Sequence, residues 1–110
     1  MTEANRTEQL ALEALDAYSE VPEPDRAFGD EAGTRSVLAV ARVLLRKIDG
    51  AAEALAPVLE LPPPKRIHGI VTSVEHVRTA LRAVENPGRD VVELAGAIEG
   101  FTSERLALQR

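Results

Sequence analysis

The fold is decided by residues 34–64, TRSVLAVARVLLRKIDGAAEALAPVLELPPP. Apolar side chains recur here every three or four residues, which is the spacing of a helix that buries one face against another helix. These positions are Leu38, Ala41, Leu45, Ile48, Ala52, Leu55 and Leu59. Because the spacing stays in register throughout, it favours one helix over 34–60, about 40 Å long, rather than two shorter helices.

Two residues disturb the regularity of this predicted helix. Gly50 makes a helix less stable by about 1 kcal/mol relative to alanine. Pro57 removes the hydrogen bond to the Glu53 carbonyl, so we expect a kink near residues 53–57. Two separate helices over the same residues are the alternative.

A proline run ends the predicted helix and starts the next one. Residues 61–64, Leu-Pro-Pro-Pro, cannot continue a helix, whereas Pro64 suits the first turn of a new one. The apolar spacing then resumes at Ile67, Ile70, Val74, Val77, Leu81 and Val84. Two matching apolar faces joined by a short turn should pack antiparallel. The sequence therefore predicts a long antiparallel helical hairpin with helices at about 34–60 and 64–86.

A shorter helix is expected at each end of this hairpin. Asn5 and Glu8 form a capping pair for a helix over about 5–20, and Asp90 with Glu93 caps a last helix. Residues 21–33 combine prolines, glycines and acidic side chains, so we expect an acidic loop that is free to move. The predicted fold is an all-α, four-helix bundle-like single domain over residues 1–110.

The composition narrows the classes of site that the chain can carry. Cysteine is absent, which excludes disulfides, thiolate metal sites and cysteine nucleophiles. His68 and His76 lie about 12 Å apart on a predicted helix, too far to share one ion. No catalytic, cofactor or phosphate-loop motif is present. We therefore predict a non-enzymatic protein with no cofactor and no metal. Since no apolar run approaches about 20 residues, we expect a cytoplasmic protein that does not contact membranes.

Charge is distributed unevenly along the chain, whose net charge is −5. Residues 1–33 contain nine acidic and two basic side chains, which gives −7. Residues 35–89 contain nine basic and five acidic side chains, which gives +4. We expect the amino-terminal region to be attracted to the middle of the chain.

Two groups of basic residues are candidate sites. The first is an anion-binding corner at the start of a predicted helix, where free N–H groups and the helix dipole favour a phosphate or an acidic peptide. It consists of Lys65, Arg66 and His68, and neutralisation by Glu60 or by the acidic arm is the alternative. The second is a basic face on the hairpin that consists of Arg35, Arg42, Arg46, Arg78 and Arg82. Nucleic acid is a less favoured partner for this face, because the chain is acidic and has few aromatic residues.

The apolar residues outnumber those that one hairpin face can cover. The additional ones are Val37, Val40, Val43, Leu44, Val58 and Val71. This surplus favours a homodimer, so we predict a protein-interaction or assembly module that acts as a homo-oligomer with an unknown protein partner. Two alternatives remain open. One is a nucleic-acid-associated regulator whose acidic arm shields the basic face, and the other is a small ligand- or anion-binding bundle.

Overall fold

The computed structural model of the chain describes residues 2–21 and 28–108, without the side chains of residue 28 and of 104–108. The described residues form five α-helices and no strand, so the all-α class is confirmed. The helices are α1 (Glu3–Ser19), α2 (Phe28–Leu44), α3 (Ile48–Leu59), α4 (His68–Arg82) and α5 (Arg89–Leu108). A short 3-10 helix, Pro63–Lys65, connects α3 and α4.

Four of these helices enclose most of the core, and α1 adds Ala11 to it, with Leu15 packed alongside. Helix α2 packs against α3 and α4, and α5 packs against the same two helices, so α2 to α5 form a four-helix bundle. Helix α1 packs on α2 alone and buries a single side chain, Ala11. Branched side chains from all four bundle helices fill the interior, among them Leu38, Val43, Leu55, Val58, Val74, Val77 and Ile98.

The predicted continuous helix over 34–60 is wrong, because the chain leaves the helical conformation at residues 45–47. Arg46 adopts the left-handed conformation with φ of 61°. The Lys47 N–H donates to the Arg42 carbonyl at 2.8 Å, and the Arg46 N–H donates to the Val43 carbonyl at 3.0 Å. This pair of hydrogen bonds is the Schellman arrangement that ends a helix. Helix α3 then runs without interruption through Pro57.

The left-handed turn folds α3 back antiparallel to α2. Arg42, near the end of α2, donates from Nη1 to the carbonyl of Gly50 at 2.9 Å. Arg35, two turns earlier in α2, reaches the carbonyl of Ala54 at 3.4 Å. The earlier residue of α2, Arg35, thus contacts the later residue of α3, Ala54, and the later residue, Arg42, contacts the earlier one, Gly50. The antiparallel hairpin of this protein is therefore α2 with α3.

Helix α4 runs parallel to α2, so the predicted antiparallel hairpin of 34–60 with 64–86 is also wrong. Gly29 lies beside Ile67, and Gly33 lies beside Ser73, so both numbers rise together. The physical reason is the turn at 45–47, which reverses the chain once more than the sequence predicted. The bundle therefore contains two short helices where one long helix was expected.

Helix α2 begins earlier than predicted. Residues 28–33 belong to its first turns rather than to the expected acidic loop, and residues 22–27 lie outside the described part of the chain. Asp30 and Glu31 occupy the first turn, where a negative charge interacts favourably with the helix dipole. At the amino terminus, Thr2 rather than Asn5 caps α1, since its hydroxyl accepts from the Asn5 N–H at 3.1 Å.

Replacing Arg46 by glycine tests the turn. An L-residue in the left-handed conformation costs about 1–2 kcal/mol, a cost that glycine does not have. Arg46→Gly should therefore be more stable to unfolding than Arg46→Ala by about 1 kcal/mol. A continuous helix predicts the opposite order, because glycine within a helix is about 1 kcal/mol less favourable than alanine. Urea denaturation of the two variants gives the sign.

Candidate functional site

The outer face of α2 forms the floor of an open groove, here called the α2 groove. Its walls are α1, with Ala4 and Thr7, and α4, with Ser73 and His76. Its volume is about 570 Å³, within the range of about 300–1,000 Å³ that is common for binding sites. The groove lies on the side of α2 that faces away from the bundle.

An apolar stripe of α2 covers the groove floor. It consists of Val37, Val40, Ala41 and Leu44, which is one side of a helix over two turns. Val37 is 48% exposed and Leu44 is 60% exposed, whereas Val40 is partly buried and Ala41 is buried. The opposite side of α2 buries Leu38 and Val43 in the bundle. Helix α2 is therefore apolar on two faces, and the outer one is covered only in part, because Val37 and Leu44 stay exposed.

A buried hydroxyl beside this stripe lacks a partner. Ser36 lines the groove, is only 2% exposed, and its Oγ has no hydrogen-bond partner among the described residues. Ser73, on the opposite wall, donates its hydroxyl to the Gly69 carbonyl at 3.0 Å. A buried polar group without a partner costs about 1–3 kcal/mol, so this hydroxyl lowers the stability of the fold.

An ion-pair cluster holds the α1 wall in place. The Glu8 carboxylate accepts from Arg42 Nε and from Lys47 Nζ, each at 3.1 Å. The hydrogen bond from Lys47, with the Arg42 guanidinium, holds the pKa of Glu8 below its ordinary value, although partial burial opposes this shift. Since Arg42 also binds the Gly50 carbonyl, the cluster links α1, α2 and α3. The predicted attraction of the acidic amino-terminal region to the basic middle is present here.

The five residues of the predicted basic face lie in two separate places. Arg35 and Arg42 contact backbone carbonyls of α3, and Arg46 forms the turn between α2 and α3. Arg78 and Arg82 lie on α4, beside α5. Nucleic-acid binding through these residues stays a prediction. It would require the arginines to contact the nucleic acid from two separate parts of the fold, because they do not form one continuous stripe.

The three residues of the predicted anion-binding corner differ in their surroundings, because Arg66 is buried whereas Lys65 and His68 are exposed. Arg66 is only 7% exposed, its Nε donates to the Leu61 carbonyl at 2.8 Å, and its guanidinium lies 4.5 Å from the centre of the Phe101 ring. Arg66 therefore attaches the segment before α4 to α5. Lys65 and His68 are exposed, and α4 begins at His68, later than predicted. Anion binding at this corner stays a prediction.

Neither a cluster of metal-ligating side chains nor a membrane-spanning helix is present in the described part of the chain. Among residues 2–21 and 29–103, whose side chains are described, no group of three His, Cys, Asp or Glu side chains is placed to hold a metal ion. Over the described backbone, residues 2–21 and 28–108, no helix has the length and apolar character needed to span a membrane. Comparison with known proteins finds no matching family model, no matching curated protein and no matching solved structure.

Sequence reasoning identified part of this site and missed the rest. Val37, Val40 and Leu44 belong to the surplus apolar residues, and the structure places all three in the α2 groove. The unpaired hydroxyl of Ser36 and the pairing of Glu8 with α2 were missed. Both depend on where α1 packs, and the only sequence signal was the opposite charge of the two regions.

Replacing Glu8 by glutamine tests the ion-pair cluster. The variant should lose about 1–2 kcal/mol of unfolding free energy at neutral pH, since it removes the charge from two hydrogen bonds. Because the pKa of Glu8 is lower in the folded chain, this stabilisation exists above the unfolded-state pKa and is lost as the pH falls through the folded-state pKa. The difference from wild type should therefore shrink as the pH falls below 4.5.

The matched control for this test is Glu13→Gln, because Glu13 is exposed on the same helix and forms no ion pair with any described residue. It should change stability by less than about 0.5 kcal/mol. Urea denaturation between neutral and acidic pH measures both variants. A Glu8→Gln effect that is the same at every pH would contradict the cluster.

Proposed function

We propose that the chain is a non-enzymatic, cytoplasmic interaction module that assembles with a second copy of itself through the α2 groove. The observation that carries this proposal is the apolar stripe on the groove floor, in which Val37 and Leu44 are exposed to water. Covering a large apolar side chain contributes about 1.5–3 kcal/mol, so leaving this stripe in water is unfavourable. Its spacing is that of a helix that packs against another helix.

The charges around the groove favour a second copy as the partner. The chain carries a net charge of −5, so two copies repel each other over most of their surfaces. Glu3 is the only acidic residue that lines the α2 groove among the described residues, and His76 lies on the opposite wall. Identical faces can therefore approach here with little like-charge repulsion. A two-fold axis through the groove would place each stripe against its own equivalent.

Replacing Leu44 by glutamate tests this proposal. The wild-type chain should sediment as a concentration-dependent dimer at equilibrium. Leu44→Glu should raise the dimer dissociation constant by at least about tenfold, because it places a carboxylate within an apolar contact. Leu44 is 60% exposed in the single chain, so the fold should tolerate the change.

The control is Val92→Glu on α5, because Val92 is 62% exposed and lies outside the groove. This variant should dimerise like wild type. A wild-type chain that stays monomeric at every concentration would contradict the proposal. Dissociation by Val92→Glu but not by Leu44→Glu would place the interface on α5 and would contradict the assignment to the α2 groove.

A further inference from the structure

We infer that a second groove, between α4 and α5, binds small anionic amphiphiles, that is, molecules with one carboxylate and a short apolar chain. This α4–α5 groove has a volume of about 420 Å³. It shares no lining residue with the α2 groove, so the inference stands apart from the proposed function. Its two halves differ in chemistry, and together they define the ligand.

One half of the α4–α5 groove is apolar. Val84, Pro87, Val92 and Ala95 line it, and Val92 is 62% exposed. Gly96 lies on the same side of α5, and a side chain there would meet no neighbouring atom, so the wall is open at that point. These side chains can cover a short hydrocarbon chain but leave no room for a large body.

The other half holds two arginines one helical turn apart. Arg78 lies between two carboxylates at long range, with Nη1 at 3.8 Å from Glu75 and Nη2 at 4.0 Å from Glu99. A direct hydrogen bond between such groups is about 2.7–2.9 Å long, so neither acid engages Arg78 closely. Arg82 is exposed and forms no ion pair or hydrogen bond with any described residue. Both guanidinium groups can therefore bind an external carboxylate.

The carboxylate of Glu99 competes with the carboxylate of the ligand for Arg78, so removing each charge should change the binding affinity in an opposite direction. Its carboxylate lines the groove, is 65% exposed and is the acid that faces Arg78 from α5. A bound carboxylate must replace it beside Arg78. Removing the charge of Glu99 should therefore strengthen binding, whereas removing the charge of Arg82 should weaken it. Adventitious binding of hydrocarbon to an apolar surface predicts neither change.

Octanoate is the probe for the experiment, and octanol and acetate are its controls. Octanol lacks the charge, and acetate lacks the apolar chain. Amide shifts of the full-length, isotope-labelled chain should identify residues 78–99 as the binding region for octanoate. Octanol and acetate should each bind more weakly by at least about fivefold, since each loses one half of the recognition.

Three variants complete the experiment. Arg82→Gln should weaken octanoate binding by about fivefold, and Glu99→Gln should strengthen it by about twofold or more. Arg46→Gln is the matched control, because Arg46 is also exposed and has no ion partner among the described residues, yet lies outside this groove. It should bind like wild type. All three positions carry partly or fully exposed side chains, so amide spectra without probe should confirm that each variant is folded.

Three results would overturn the inference. One is equal binding of octanol and octanoate, which would mean that the arginines play no part. Another is an equal effect of Arg46→Gln and Arg82→Gln, which would indicate general electrostatic attraction. The last is an absence of shifts in residues 78–99. A dimer that fails to form leaves this result unaffected, so the two proposals are tested separately.

Discussion

The left-handed turn at Arg46 is the constraint on which the remaining structure depends. It ends α2, reverses the chain and places α3 antiparallel against the helix that precedes it. The next reversal then brings α4 alongside α2 in the same direction, and α5 closes the bundle between α3 and α4. Helix α2 therefore has α3 and α4 on one side and α1 on another, and the part of its second apolar face around Val37 and Leu44 is left at the surface in the α2 groove.

The ion-pair cluster acts on both sides of this turn. Arg42 precedes the turn, Lys47 follows it, and both bind Glu8 of α1. The attraction of the acidic first helix to the basic middle thus holds the ends of α2 and α3 together and positions one wall of the groove. Apolar packing also holds α1, because Ala11 belongs to the core and Leu15 packs against it. The geometry of the groove therefore depends on both charge and apolar packing at α1.

The sequence predicted the class of fold and the uncovered apolar surface, but not the chain reversal. Apolar spacing reports which residues face the core, and Leu45 and Ile48 keep that spacing although a turn lies between them. Turns of this kind usually contain glycine or asparagine, so arginine at position 46 gave no signal. Gly50 and Pro57 did signal a break, but both lie within α3. In the candidate site, the exposure of Val37 and Leu44 could be predicted, because the sequence has more apolar residues at helical spacing than one hairpin face can cover. The burial of the unpaired Ser36 hydroxyl could not be predicted, because it depends on how α1 and α4 pack.

The antiparallel packing of α2 and α3 is the central claim, and proton–proton NOEs test it most directly. The Arg42 side chain reaches within 3.1 Å of the Gly50 Cβ position, so NOEs between Arg42 δ-protons and Gly50 α-protons should be strong. In a continuous helix these residues lie about 12 Å apart, beyond the reach of an NOE. The account predicts these cross-peaks together with non-helical shifts at residues 45–47. Absent cross-peaks with helical shifts throughout 34–60 would contradict it.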